Sequence, residues 1–354
     1  MYTYNQCYMG VKGKNVGAFL VNFIKTHAPK VIIVNYINFS LRRNDLNPEL
    51  KLMLNHFRRS KLYQKVSRMW LHLMYIHIKR LVDAKSLTDI TKNYCIRIND
   101  LNQFRYFHGS ELETITDKNL ICTVYMHNYV KKHFGKQSLE KAIVSEGSLV
   151  EFPQLIDGYF YSQDSLQSVC EIEWIKKKVS MTESRILEFG AGYGRLAKIL
   201  FSAGVGALQY LVVDIPPALF ISQSYLTATA QNKTVFKFRP FKDFNKVQKE
   251  FNEAQIAFIT PDQLNYLPES MFDIAIGINF FQEIILEQIK DYFEEVDRLA
   301  KYLYLKAMDL PQNYYEETLI PLALYPIPQH WKLIDSQLTP FAKTYSEALY
   351  KTGS

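Results

Sequence analysis

An α/β fold, with a parallel sheet covered by helices on both faces and a mainly helical region in front of it, is predicted by three observations. From Ser184 onward, short apolar segments alternate with helical ones. Those short segments are apolar throughout rather than at every second position, as strands buried on both faces must be. The first 135 residues show helical spacing of apolar residues and no such alternation. With 354 residues, 48% hydrophobic and 22% charged, the chain is long enough for one large or two medium domains around a substantial core.

The elements follow in order. In the helical region, 1–135, "VIIVNYINF" reads as a strand, and a helix is predicted over Pro48 to Ala84. Asn47 can cap that helix, and Pro48 suits its first turn. Within it, "NHFRRSKLYQKVSRMWLHLMYIHIKR" places its apolar residues on one side and its charges on the other. A connecting segment, 136–183, carries turn signals at Pro153 and Asp157-Gly158, followed by an amphipathic helix. Its "DGYFYSQDSLQSV" can serve as a lid, with Tyr159, Phe160 and Tyr161 suited to a sugar face or to packing between domains.

In the third unit, 184–354, "RILEFG" is a buried strand and "RLAKILFSAG" a helix stopped by Gly204. "ALQYLVVD" is a strand, and "PPALFISQSYLTATA" a helix with prolines in its first turn. "TVFKFRPF" and a charged helix "FNKVQKEFN" precede the strands "QIAFIT", "MFDIAIGIN" and "YLYLKAMD". The helix "QEIILEQIKDYFEEVDRLA" joins the last two. "HWKLIDSQLT" and "YSEALYK", with only a short link between them, suit an antiparallel pair closing the sheet edge.

Cys7, Cys95, Cys122 and Cys170 form no C-x-x-C pair, which fits free thiols in a reducing compartment. No apolar stretch approaches the roughly 20 residues of a spanning helix. The start of the chain also lacks the order of a secretory signal, so a cytoplasmic protein is expected. The net charge of +7 is uneven: residues 1–80 hold 14 Lys or Arg against Asp45 and Glu49 alone, a surplus of 12, which leaves −5 for the rest. Such a front half suits a solvated helix face, or contact with an anionic partner, including the inner membrane face.

"ILEFGAGYGRLAKIL" sets three glycines at alternate positions after a strand that ends in an acid. A phosphate-binding loop would need G-x-x-x-x-G-K-[ST], and a dinucleotide loop G-x-G-x-x-G; neither is present. E-x-G-x-G-x-G marks enzymes that use S-adenosylmethionine (SAM) on a Rossmann-like sheet. Gly190, Gly192 and Gly194 let backbone pass where a Cβ would clash, and Ala191 lies between them in the same expected cofactor-binding turn. Glu188 can receive the ammonium of the methionyl group. Arg195, in a first helical turn that disfavours a cation, is expected either to be held by a carboxylate, including that of the ligand, or to face solvent. Asp214, followed by Ile215 at the second strand's end, can accept from ribose hydroxyls or cap the next helix. Asp262 or Gln263 can bond adenine, and Asn279, Phe280 and Gln282 lie where the methionine and sulfonium belong.

These residues make the sequence resemble a class I SAM-dependent methyltransferase. More narrowly, it is similar to the sugar O-methyltransferase family of bacterial polysaccharide and glycan clusters. That similarity is carried by "DGYFYSQDSLQSVCEIEWI", "ILEFGAGYGRLA", "YLVVDIPPALFISQSYL", "ITPDQL", "INFFQEI" and "YLYLKAMD", from about Phe152 to Tyr350. Family members tend to carry Trp in a T-P-W-Q-L segment, where this chain has Asp262. The resemblance implies SAM as cofactor and a sugar hydroxyl of a glycan, nucleotide sugar or glycosylated small molecule as acceptor.

Such a hydroxyl needs a base, and Glu283, Asp309 and His330 are the candidates in that order. Each has a plainer alternative: helix-end electrostatics for Glu283, a turn for Asp309, packing beside Trp331 for His330. No metal cluster is expected, although some sugar methyltransferases use a divalent ion. A homo-oligomer is expected. The competing readings are an RNA methyltransferase gripping phosphate through the basic front half, and a non-catalytic interaction protein that keeps the SAM fold.

Overall fold

The computed structural model describes residues 30–43, 45–83, 86, 112–144, 153–202, 206–230, 232–309, 320–341 and 344–353. It is a mixed α/β structure with a mainly parallel central sheet and antiparallel strands at one edge. No described helix is long and apolar enough to cross a membrane.

The front region is helical among its described residues: α1 (Lys30–Ser40), α2 (Pro48–Arg58), α3 (Lys61–Lys65), α4 (Arg68–Asp83) and α5 (Leu112–Glu140), the last kinked at Gly135. The segment expected as a strand, "VIIVNYINF", is therefore helix α1. Its apolar run meets no strand edge here, and it packs instead on α4, burying Ile37 and Leu41 one helical turn apart. The helix expected over Pro48 to Ala84 is broken into three. Ser60 caps α3 by accepting from the Tyr63 amide, and Ser67 Oγ accepts from Trp70 N just inside α4. Asn47 caps α2 with Pro48 in its first turn.

The segment Gln154–Ile156 (β2), Tyr159–Tyr161 (β3) is a hairpin whose turn residues Asp157 and Gly158 both have positive φ. With Ile143–Val144 (β1) it forms a small antiparallel sheet against α5, where Tyr161 meets His127 edge-on. Helix α6 (Gln163–Lys176) follows, capped by Ser162.

The central sheet has the order β10-β11-β9-β8-β4-β5-β7-β6. Its strands are β4 (Arg185–Phe189), β5 (Gln209–Val213), β6 (Val235–Phe236), β7 (Ile256–Ile259), β8 (Phe272–Ile278), β9 (Ala300–Met308), β10 (Lys332–Leu338) and β11 (Tyr345–Lys351). The helices between them are α7 (Arg195–Ser202), α8 (Ala218–Thr229), α9 (Gln248–Glu253) and α10 (Leu286–Leu299). The expected stop of α7 at Gly204 lies outside the described residues. The chain runs outward from β4 through β5 to β7, then crosses back to β8 and β9, so the direction of winding reverses between β4 and β8. In doubly wound sheets of this Rossmann-like kind the crevice for a ligand opens at the carboxyl ends beside that reversal. At the far edge β11 runs antiparallel between β9 and β10.

One hydrophobic cluster joins α2, α4 and α6 to the α7–α8 face of the sheet; a second fills the α9–α10 face. The turn from β4 into α7 is shaped by its glycines. Gly194 has φ +93, and a Cβ there would lie 2.8 Å from Leu226. Gly194→Ala is expected to cost about 2 kcal/mol or more through strain and the clash with α8. Gly192→Ala, with φ +62 but nothing within 4 Å, is expected to cost about 1 kcal/mol. Urea unfolding of the two variants measures both.

Candidate functional site

The site is built at the carboxyl ends of β4, β5 and β8, where the glycine turn leaves the sheet. Gly190, Gly192 and Gly194 all have positive φ. Gly190 lies against the Phe280 ring, 2.5 Å from where its Cβ would stand, so only glycine lets the turn and the β8 exit come together. Ala191 is buried and its carbonyl accepts from Gly194 N.

Two carboxyls flank the turn, and both are buried. Glu188, the penultimate residue of β4, accepts from the Tyr210 hydroxyl at 2.7 Å. Burial raises its pKa to about 7 against the pull of that hydroxyl and of Arg195. Asp214, just past β5, is raised to about 8, first by burial and further by the charge of Glu188. The amide of Ile215 donates to Asp214 Oδ1 at 2.8 Å, and the nearby Gly192 backbone also opposes the rise. Glu188 and Asp214 thus stand at the carboxyl ends of the neighbouring strands β4 and β5.

Arg195 is held by a carboxylate, and the carboxylate is Glu171 of α6. Its Nη1 lies 2.8 Å from Glu171 Oε2 and 2.6 Å from Ser168 Oγ, and its Nη2 3.1 Å from Glu171 Oε1. Lys306 of β9 meets the same carboxylate at 2.9 Å. Despite its burial, Glu171 is held ionised by the two cations, with a pKa lowered to about 2. One more bond, from the Tyr193 hydroxyl to Asp164, ties the glycine turn to the start of α6.

Asp262 lies in the 3-10 turn Pro261–Tyr266 after β7. His56 of α2 meets its Oδ2 at 2.9 Å, while its Oδ1 is buried with no partner among the described residues. The neighbouring Gln263 faces inward. Its Oε1 takes the amide and hydroxyl of Thr260, and its Nε2 donates to the Arg239 carbonyl. Both ends of the Gln263 amide are thus engaged in shaping the turn, whereas Asp262 Oδ1 has no partner among the described residues.

Asn279, just past β8, has φ +59, and its Oδ1 is buried without a described partner. Phe280 stacks on Phe189 and lies 5.1 Å from the ring of Tyr292. Gln282 is fully enclosed, and its Oε1 accepts from Met308 N; it ties the β8 exit to β9 instead of facing a ligand.

Of the three candidate bases, Glu283 and Asp309 stand at the correct end of the sheet. Glu283 closes the 3-10 turn Phe281–Glu283 after β8, and its carbonyl accepts from Ser67 of the front region. Its charge raises the buried Tyr325 hydroxyl, a lesser cause than burial itself. Asp309 follows β9 and accepts from Ser346 Oγ at 2.5 Å. His330 is a correction. It precedes β10, whose Lys332 pairs with Lys351 beside the start of β9, so it sits at the amino end of the strands, opposite the cleft. There it meets Asp297, which also accepts from Trp331 Nε1. Sequence position could not reveal this, because the direction of β10 is decided by its pairing. Among the described residues no group of three His, Cys, Asp or Glu is placed to hold a metal ion.

The front region reaches the same end of the sheet through polar contacts. Lys65 bonds Glu287 and Asp291 of α10, Glu49 takes Lys237 and Gln223, and His56 takes Asp262. Part of the basic surplus is thus met within the chain.

No protein-family model matches the sequence, and no curated protein is similar to it in sequence. Among solved structures, the magnesium protoporphyrin IX methyltransferase of Synechocystis PCC 6803 with bound SAM is similar at 14% identity. That match covers 64% of this chain and 97% of that one, with a TM-score of 0.38. A SAM-dependent methyltransferase of Mesorhizobium loti is similar at 11% identity, over 51% of this chain and 96% of that one, with a TM-score of 0.34. These likenesses are partial.

Two outcomes are expected. Glu171→Gln leaves Arg195 and Lys306 buried together without a countercharge, for a loss of about 3–5 kcal/mol in urea unfolding. The second concerns pH. Below pH about 4 these carboxyls are protonated in both folded and unfolded chains. As pH rises, the unfolded chain releases its protons first, whereas Glu188 and Asp214 keep theirs to about 7 and 8. The folded state binds more protons in this window, so their contribution to stability is lost as pH climbs through it. A Glu188→Gln, Asp214→Asn double variant should lack that slope in thermal melts from pH 5 to 8.5.

Proposed function

We propose that the chain is a SAM-dependent methyltransferase and that its acceptor is a sugar hydroxyl, in a glycan, nucleotide sugar or glycosylated small molecule. The observation that carries the reading is the meeting of Glu188, Asp214 and Asn279 at the ends of three adjacent strands, around a turn of left-handed glycines. A phosphate loop keeps its surroundings free for an anion; here the turn is flanked by two buried carboxyls, Glu188 and Asp214, and the Ile215 amide is occupied by Asp214. The cleft therefore suits a cationic, hydroxylated ligand. Asp214 would accept from ribose hydroxyls, Glu188 from the methionyl ammonium, and the unmatched Asp262 Oδ1 from the adenine amine. Bound there, SAM supplies an activated methyl group for in-line transfer.

The chain's own part is alignment and proton removal. Glu283 and Asp309, half-buried at the ends of neighbouring strands β8 and β9, are the carboxylates available to take the hydroxyl proton, Glu283 first. The sugar acceptor draws its support from the motifs shared with sugar O-methyltransferases. An anionic surface contact through residues 1–80 and a homo-oligomer are further proposals, checked by salt-dependent retention on anionic vesicles and by sedimentation.

SAM binding should tighten as pH rises from 6 to 9 and release protons, because the ligand's ammonium and hydroxyls favour the ionised forms of Glu188 and Asp214. Calorimetry in buffers of different ionisation enthalpy reads this directly, and Asp214→Asn should weaken affinity and flatten the dependence. For the chemistry, Glu283→Gln is expected to cut turnover about 100-fold with SAM affinity unchanged. Near-normal turnover would remove Glu283 from the reaction. SAM consumption with nucleotide sugars or glycan fragments, against none with RNA, tests the acceptor class.

A further inference from the structure

Asp262 follows β7, which runs parallel to β5 with Val213 opposite Ile259, so it stands at the same end of the sheet as Asp214. Its two carboxyl oxygens have different surroundings. Oδ2 lies 2.9 Å from Nε2 of His56, a residue of α2 that comes 206 positions earlier in the chain. Oδ1 is enclosed and meets no donor among the described residues. A carboxylate only accepts, so the His56 N–H donates to Oδ2, and one pinned oxygen restricts where the other can point. A buried acceptor without a donor is costly, and a ligand that brings an N–H to Oδ1 recovers that cost.

His56 is carried by a helix that is itself anchored. α2 packs on α8 and buries Leu50, Met53, Leu54 and Phe57. In its first turn Glu49 accepts from Gln223 Nε2 at 3.1 Å and from Lys237 Nζ at 3.0 Å. The imidazole lies edge-on to Phe238, with ring centres 5.5 Å apart. Phe238 in turn donates its amide to Gln223 Oε1 at 2.6 Å. Gln223 therefore joins the start of α2 to the residue against which the imidazole rests. The histidine reaches Asp262 from a helix held on the sheet at two further points.

We propose that His56 is a positioning residue for the cofactor, holding Asp262 so that Oδ1 accepts from the exocyclic amine of adenine. The inference rests on the methyltransferase reading, and it makes α2, outside the sheet, a working part of the cofactor site. The opposite arrangement is competition, with the imidazole on the acceptor that adenine needs. The unmatched Oδ1 argues against it, because histidine and adenine then have an oxygen each.

The test is calorimetric titration of S-adenosylhomocysteine, the demethylated cofactor, and of its analogue with purine in place of adenine. Both are titrated into the full chain and into two variants. His56→Leu removes the donor, whereas His56→Gln keeps an N–H near the position of Nε2. His56→Leu should bind S-adenosylhomocysteine about tenfold more weakly than the parent, and His56→Gln within about threefold of it. The purine analogue lacks the amine, so its affinity should be weaker and the same for all three proteins. In an Asp262→Ala background, His56→Leu should add little, because the histidine acts through that carboxylate. Equal weakening of both ligands by His56→Leu would mark a purely structural role, and tighter binding would mark competition. Either result, or S-adenosylhomocysteine affinity unchanged by His56→Leu, overturns the proposal alone. A parent chain that does not bind S-adenosylhomocysteine overturns the methyltransferase reading, and the proposal with it.

Discussion

Glu171 sits inside the core with two cations on its carboxylate, and the site is organised around that contact. It comes from α6, Arg195 from the first turn of α7, and Lys306 from β9. A cation at a helix amino end is opposed by the helix dipole, so Arg195 needs a local anion to remain there. Taking three charges out of water is costly, and the arrangement holds only because bidentate geometry and the Ser168 hydroxyl satisfy the guanidinium. The outcome is mechanical: the glycine turn, the sheet and the connecting segment are clamped at one point.

The same triad acts electrically on the cleft. Arg195 pulls the Glu188 pKa down and Glu171 pushes it up, both second to burial, so that carboxyl is poised near neutrality rather than locked in one state. Asp214 is poised likewise, under burial and the Glu188 charge, with two backbone amides opposing. Both buried carboxyls therefore titrate near neutral pH, well above their ordinary range. The N-terminal helices add to this by enclosing the end of the sheet. Through His56, they also reach the Asp262 turn.

Much of the cleft was legible in the sequence because it depends on local features. A strand followed by G-x-G-x-G must turn sharply, and residues at strand ends must reach the crevice. Glu188, Asp214 and Asn279 could be placed on that basis. Gln263 and Gln282 could not be told from ligand-facing residues, since being next to Asp262 or Glu283 says nothing about where a side chain points. Both turn inward to satisfy backbone amides. His330 has a suitable chemistry at an unsuitable end, and only the pairing of β10 with β11 reveals that.

What the sequence by itself determined is the parallel α/β sheet, the glycine turn and the carboxylates at its strand ends, because hydrophobic period, glycine spacing and strand polarity are set by residues close along the chain. Tertiary structure alone decided that "VIIVNYINF" is helical, that Arg195 meets Glu171, 24 residues earlier, and that basic helices close on an acidic edge. Those outcomes depend on which surfaces meet and how much water they exclude. Burial and charge pairing act through space, and spacing along the chain does not encode them.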